Sequence, residues 1–373
     1  MTPPLKIALI VHHQLELGTG AAGSTLTLAA ALRHRGHMVD VIGMELVGND
    51  DSTLSQIRFP WKVAKFLRRA IKDEAYDIVD ASTGDYWLIT MKEVAATPTV
   101  FVTRSHGLEP LAVAARRRAA RSGELRLRWR YRLYHGGWRL TEVRRSIGVA
   151  DLKLVLNLTE KAYLTEILGV RAASVAITAP VAGRAFCEVA PNMPLPYRLL
   201  VVGGQQWRKG AADHAVVVEA LLRSNPDLDV TWLGVAAAPV PSDVADRVHV
   251  IERYAPDEFG QILDTHGVML SLTRFEGLPV VMLEAMSHGV SVVANAVPGP
   301  VDLLIGGAGK LVTPGDLNEA VRAVQSLADD DVREQMGTAA HLAVQKFRPD
   351  RVVDLLLENY HEARNVKLAS LHS

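Results

Sequence analysis

Two glutamates, Glu276 and Glu284, stand with seven residues between them in "FEGLPVVMLEAMSHG" (275–289). A strand should end near Leu272, and a loop then carries Glu276 and Gly277. Pro279 suits the first helical position, where a missing N–H costs nothing. The free amides of such a helix start form an anion site suited to a diphosphate. A carboxylate beside it is not there for phosphate; it suits the hydroxyls of a sugar or ribose. A second loop, "VVGGQQWRKG" (201–210), brings Arg208 and Lys209 next to glycines. Beside a glycine loop and the glutamate pair Lys209 fits phosphate binding, although a lysine alone is more often a surface residue.

A third candidate is "GTGAAG" (18–23), which has the glycine spacing of a dinucleotide fingerprint. Six residues, 12–17, separate it from the apolar run "KIALIV" (6–11), where such a fold allows almost none. The acidic residue expected about 20 positions on would be Asp40, which lies inside an apolar run rather than after it. Three readings therefore stand: an NAD site, a plain glycine loop opening a helix, or a loop facing a ligand held by another domain.

The elements that must position these residues alternate along the whole chain. The chain has 373 residues, enough for two domains. Apolar residues make up 49% and charged residues 22%, as in a globular protein. Near-continuous apolar runs at 6–11, 37–43, 77–82, 99–104 and 152–157 alternate with helical stretches. A proline-rich segment follows, and the alternation restarts at 198–204, 229–234, 247–252, 268–272 and 290–295. Such strands belong to parallel sheets covered on both faces. The reading is α/β, with two doubly wound domains facing a cleft. Its parts are residues 1–180, a linker 181–197, a second domain 198–346, and a C-terminal helix, 347–373, packing back across the junction.

Formal net charge is zero, which argues against general nucleic-acid binding. The single cysteine, Cys187, allows no internal disulfide and fits a reducing cytoplasm. No stretch approaches the roughly 18 apolar residues of a membrane span. The pair "HH" (12–13) has no metal-ligand spacing partner.

The stretch 271–299 resembles the signature of the family-4 retaining glycosyltransferases of the GT-B fold. It matches in Glu276, Gly277, Pro279, Glu284-Ala285-Met286, Gly289 and the strand "VSVVA". Further along, "GKLVTPGD" (309–316) is similar to a later family motif, and "TRSHGLEP" (103–110) to an earlier one. The resemblance implies a nucleotide-diphosphate sugar, UDP- or GDP-linked, as co-substrate, with no metal and no other cofactor. It implies that Glu284 holds the ribose and that Glu276 lies at the donor sugar and its leaving phosphate. Backbone groups of Gly277 and Leu278 would contact the sugar. Lys209 would bind the diphosphate. The family's arginine position falls on Gly204, with Arg208 as the candidate substitute. Tyr254 would sit near the base, and His106 near the donor sugar. Gly18, Gly20 and Arg104 would face the acceptor, a glycan, lipid-linked or small-molecule hydroxyl. The rival readings are an NAD-dependent dehydrogenase and a non-catalytic sugar-nucleotide binder.

Residues 116–146 are dense in arginine, with Trp129, Tyr131, Tyr134 and Trp138 interleaved. This local basic patch suits peripheral contact with an anionic membrane, or else a solvated helical face.

Overall fold

A computed structural model describes residues 3–16, 20–48, 52–183 and 185–372. They divide into two compact units, one of residues 1–181 with 349–373 and one of 182–348. Each is built on a six-stranded sheet with parallel pairing throughout.

The first sheet contains β1 (Lys6–Ile10), β2 (Met38–Ile42), β3 (Ile78–Ser82), β4 (Val100–Arg104), β5 (Leu152–Val155) and β6 (Val175–Ile177). Their order across the sheet is β2-β1-β3-β4-β5-β6. Every residue of β3 is buried, as helices on both faces of a parallel sheet require. The helices include α1 (Gly20–His34), α2 (Thr53–Lys72), α3 (Glu109–Arg121) and α4 (Arg139–Val149). Phe59 and Leu67 of α2 pack with Tyr86 and Phe101 in the core.

The C-terminal helix, Pro349–Leu371, belongs to this unit. Tyr360 is fully buried, and its hydroxyl donates to the Asp80 carboxylate. Arg104 pairs with the same carboxylate. Farther along, Lys367 donates to Asp151 at 2.9 Å and to the Val94 carbonyl at 2.7 Å. Burying Asp80, Arg104 and Lys367 is tolerable only because each is met by an opposite charge or a hydrogen bond.

The second sheet contains β7 (Arg198–Val202), β8 (Asp229–Leu233), β9 (Val248–Ile251), β10 (Val268–Ser271), β11 (Ser291–Asn295) and β12 (Gly309–Val312). Its order is β12-β11-β10-β7-β8-β9. Counted in chain rank from the β9 edge this is 3-2-1-4-5-6, the order of dinucleotide-type folds. Its core holds Trp232, Leu199, Val218, Leu221, Leu270 and Val293. Two helices flank the loops at the centre of this sheet: α5 (Ala211–Ser224) and α6 (Val280–Ser287).

In both sheets the winding direction reverses once, between β1 and β3 and between β7 and β10. At such a switch point the flanking loops diverge to opposite faces and leave a crevice beyond the strand ends.

Candidate functional site

The loops leaving β7 and β10 meet at the second switch point. Gly210 adopts φ +68°, and an added Cβ would lie 2.0 Å from the Leu272 carbonyl oxygen. Only glycine lets the two loops touch there. The amide of Arg274 donates to the Arg208 carbonyl at 2.9 Å, tying the loops a second time. The Arg274 side chain pairs with Asp213 of α5 at 2.8 Å and lies over the Trp207 ring.

His214 is the third tie. The Leu272 amide donates to its Nε2 at 2.9 Å, so the ring proton is on Nδ1, 3.0 Å from the Gly210 carbonyl. Burial, only partly offset by the Gly210 and Leu270 carbonyls, which favour the charged ring, lowers its pKa to about 4. The ring is therefore neutral, as this bonding pattern needs.

On this pinned frame three residues singled out from the sequence converge. Arg208 Nη1 lies 3.0 Å from Glu276 Oε2, and Lys209 Nζ lies 3.0 Å from the same oxygen. Two cations face one carboxylate, so this trio of described residues carries one positive charge in excess. All three side chains remain partly accessible. Gly204 carries no side chain to add to them. A Cβ there would come within 3.3 Å of the Gly234 carbonyl, so an arginine could not enter without a shift of that backbone.

Pro279 is the residue before α6 rather than its first member, because its ψ of 106° is extended, not helical. Its carbonyl accepts the amides of Met282 and Leu283, which leaves those of Val280 and Val281 ahead of the first intrahelical bonds. Gly277 and Leu278 are buried in the turn that precedes it. The Gly299 amide donates to the Glu276 carbonyl at 3.3 Å and braces that turn.

Glu284 does not share partners with Glu276. It is buried in α6, and its Oε1 accepts the Gly183 amide at 3.0 Å. Burial pushes its carboxyl up to about 7, against the opposing pull of that bond. Tyr254 is close enough for the Glu284 charge to raise its phenol further, after burial.

The remaining candidates lie in the first unit. His106 follows β4 and is exposed. The protein bulk around it, then Arg104, His12 and His13, lower its pKa, so the ring is neutral at pH 7. Solvent access moderates the first of these effects. Arg104 turns Nε and Nη2 of its guanidinium to Asp80 and Tyr360. Gly20 opens α1 instead of sitting in a glycine loop, and Gly23 is also helical. Gly18 lies outside the described residues. Asp40, the acidic residue of the dinucleotide reading, accepts the Tyr76 hydroxyl at 2.7 Å. Among the described residues no group of three His, Cys, Asp or Glu side chains is arranged to hold a metal ion.

Residues 196–330 match the family model of group 1 glycosyl transferases. The likeness to that family thus lies in the second unit, and the fold is GT-B. D-inositol 3-phosphate glycosyltransferase of Corynebacterium diphtheriae is 28% identical over 48% of this chain and 46% of its own length. The chain spans less than half the length of the curated relatives it matches. Sucrose-phosphate synthase of Thermosynechococcus elongatus superposes with a TM-score of 0.72 at 16% identity, over 96% of this chain and 98% of that one. Anabaena HepE in complex with UDP-glucose gives 0.65 at 15%, over 94% and 98%. At these identities the structural likeness establishes the fold alone.

Sequence patterns do not reveal His214, the Arg274–Asp213 pair or the Gly183 amide. The only sequence signal for His214 is a histidine four residues after the loop glycine.

His214 gives a pH-dependent stability of known sign. Its folded pKa is depressed from 6.5 to about 4, so its contribution is full above pH 6.5 and is lost as pH falls to about 4. Glu284, raised from 4.5 to about 7, acts oppositely and loses its contribution as pH rises through that window. A His214→Gln variant isolates the first effect. Its melting temperature should lie furthest below wild type at pH 7.5, with the gap narrowing by pH 4.5. A gap that does not change with pH contradicts the buried neutral ring.

Proposed function

We propose that this chain is a retaining glycosyltransferase of family 4 that moves a sugar from a nucleotide-diphosphate donor to a hydroxyl. The observation that carries the reading is the Arg208–Lys209–Glu276 cluster at the second switch point, in which two cations meet one carboxylate. A diphosphate there meets two cations and the first-turn amides of α6. HepE, of the same fold, forms a complex with UDP-glucose, which favours a UDP-linked sugar over a GDP-linked one. The corynebacterial relative's name gives inositol 3-phosphate as what it acts on, a hydroxyl-bearing acceptor.

In the proposed reaction the bond from the anomeric carbon to the diphosphate breaks. The acceptor oxygen bonds to that carbon, and its proton ends on the departing phosphate. Arg208, Lys209 and the α6 amides stabilise the leaving charge, which is the dominant requirement of such a step. No resident metal is invoked. Burial raises the Glu284 carboxyl, which accepts from ribose hydroxyls when ionised and donates to them when protonated. Tyr254 lies beside it, toward the base. The assigned partners are thus a nucleotide sugar and a glycan, lipid-linked or small-molecule acceptor.

In the absence of donor, Glu276 competes for the cations that a diphosphate needs. Glu276→Gln should therefore bind UDP several-fold more tightly by calorimetry, while sugar transfer falls at least about 100-fold. Near-normal turnover, or weaker UDP binding, contradicts the assignment. Tight UDP binding with no turnover in the wild type over a panel of acceptors would favour the non-catalytic reading, which the glycine at 204 motivates. NAD should give no protection against heating.

Peripheral membrane binding is a second part of the proposal. Trp129, Leu133 and Trp138 are exposed, at 66%, 65% and 53%, as is Trp61. Arginines accompany them: Arg130 lies over Trp129, and Arg116 over Tyr131. Exposed tryptophan and leucine among arginines suit the headgroup layer of an anionic bilayer. No helix among the described residues is long and apolar enough to cross a membrane. The chain should co-float with phosphatidylglycerol vesicles at low salt and detach at high salt, and Trp129→Ser with Leu133→Ser should weaken the association. Absence of co-flotation at low salt overturns it.

A further inference from the structure

Residues 182–187 open the second unit and run against α6. The helix and the residue after it hold them with side chains at i, i+3 and i+4, which share one face. Glu284 Oε1 accepts the Gly183 amide at 3.0 Å. Ser287 Oγ accepts the Cys187 amide at 2.9 Å and donates to the Glu284 carbonyl at 2.6 Å. His288 Nε2 donates to the Ala185 carbonyl at 2.7 Å, and its Nδ1 lies 2.7 Å from Asp264 Oδ1. Three ties on so short a stretch fix the Gly183 amide relative to the helix.

The carboxylate is the softer partner of the first bond. Rotation about the last torsion of a glutamate side chain is broad and roughly two-fold, so without a fixed donor the carboxylate plane turns. Among the described residues the Gly183 amide is the one hydrogen-bond donor to that carboxylate. At 7% exposure Glu284 has little water to replace the bond. Position 183 must also lack a side chain. A Cβ there would lie 2.7 Å from Glu284 Oε1 and 3.9 Å from its Cδ. The φ of Gly183 is outside the left-handed region, so alanine fits the backbone. What must move is the end of a flexible side chain, the Glu284 carboxylate itself.

We propose that Gly183 is a positioning residue that sets nucleotide specificity: its amide aims the Glu284 carboxylate at the ribose hydroxyls, and its missing side chain leaves the carboxylate room to stay there. The inference rests on the proposed donor site, in which Glu284 meets the ribose. A carboxylate held through one oxygen keeps its other acceptor positions at fixed points. A buried polar group aimed at a hydroxyl rejects a ligand that lacks it. Discrimination between ribose and its deoxy forms thus falls to a residue with no side chain of its own.

The experiment compares UDP with 2′,3′-dideoxy-UDP by calorimetry. The wild type should bind UDP at least about tenfold more tightly. Gly183→Ala should reduce that ratio below about threefold, with dideoxy-UDP affinity and melting temperature unchanged. A purely structural role would weaken both nucleotides alike. In a Glu284→Ala background, adding Gly183→Ala should change neither affinity, because the two residues act through one contact. A ratio that survives Gly183→Ala, an equal loss for both nucleotides, or additive effects in the double variant overturns the proposal. A second readout needs no nucleotide. In glycine-labelled protein followed by NMR, the Gly183 amide signal should follow pH through the Glu284 titration at about 7 and stay flat in Glu284→Gln. A flat wild-type signal also overturns the proposal. If the wild type binds neither nucleotide, the donor site fails as read, and the amide titration alone decides whether Gly183 holds Glu284.

Discussion

One carboxylate, that of Glu276, holds two cations. Arg208 and Lys209 are consecutive residues of one loop, and Glu276 belongs to another that is distant in sequence. Like charges that close separate unless an anion sits between them. The arrangement therefore depends on the two loops being held in register, and the fold meets that demand three times. Gly210 touches the Leu272 carbonyl, the Arg274 amide bonds the Arg208 carbonyl, and His214 bridges Gly210 and Leu272. Neutral His214 is the part of this frame that acid removes.

The same sheet logic places two clusters of opposite character. Each sheet reverses its winding once, and each reversal leaves a crevice beyond the strand ends. In the second unit the crevice holds two cations and one carboxylate; in the first it holds one arginine and three carboxylates. On the proposed function, the cationic one takes the diphosphate.

Much of this is legible in the sequence where the signal is local. Apolar runs mark strands because parallel strands are buried on both faces, and β10 and β11 are buried throughout. The spacing of Glu276 and Glu284 marks the loop and α6, and Lys209 with Arg208 marks the facing loop. Conformational detail is not legible in the same way. Gly20 and Gly23 form helix where glycine spacing suggests a loop, and the helix at Pro279 starts one residue later. Pairing across long stretches of chain is invisible. Nothing near Arg104 in the sequence shows that Asp80 and Tyr360 hold it. Nothing near His12 shows that Asp85 accepts its hydrogen bond. Such contacts follow from the order of strands in the sheet, which periodicity does not encode.

If Arg208 and Lys209, held by Glu276, form the diphosphate site, their loss must weaken nucleotide binding. Calorimetric titration of UDP into the wild type and into Arg208→Gln/Lys209→Gln tests this most directly. Each charge-assisted contact is worth about 1.5–3 kcal/mol, so the double variant should bind at least about tenfold more weakly, with much less dependence on salt. Equal affinity in the two proteins, with both folded, would contradict the account.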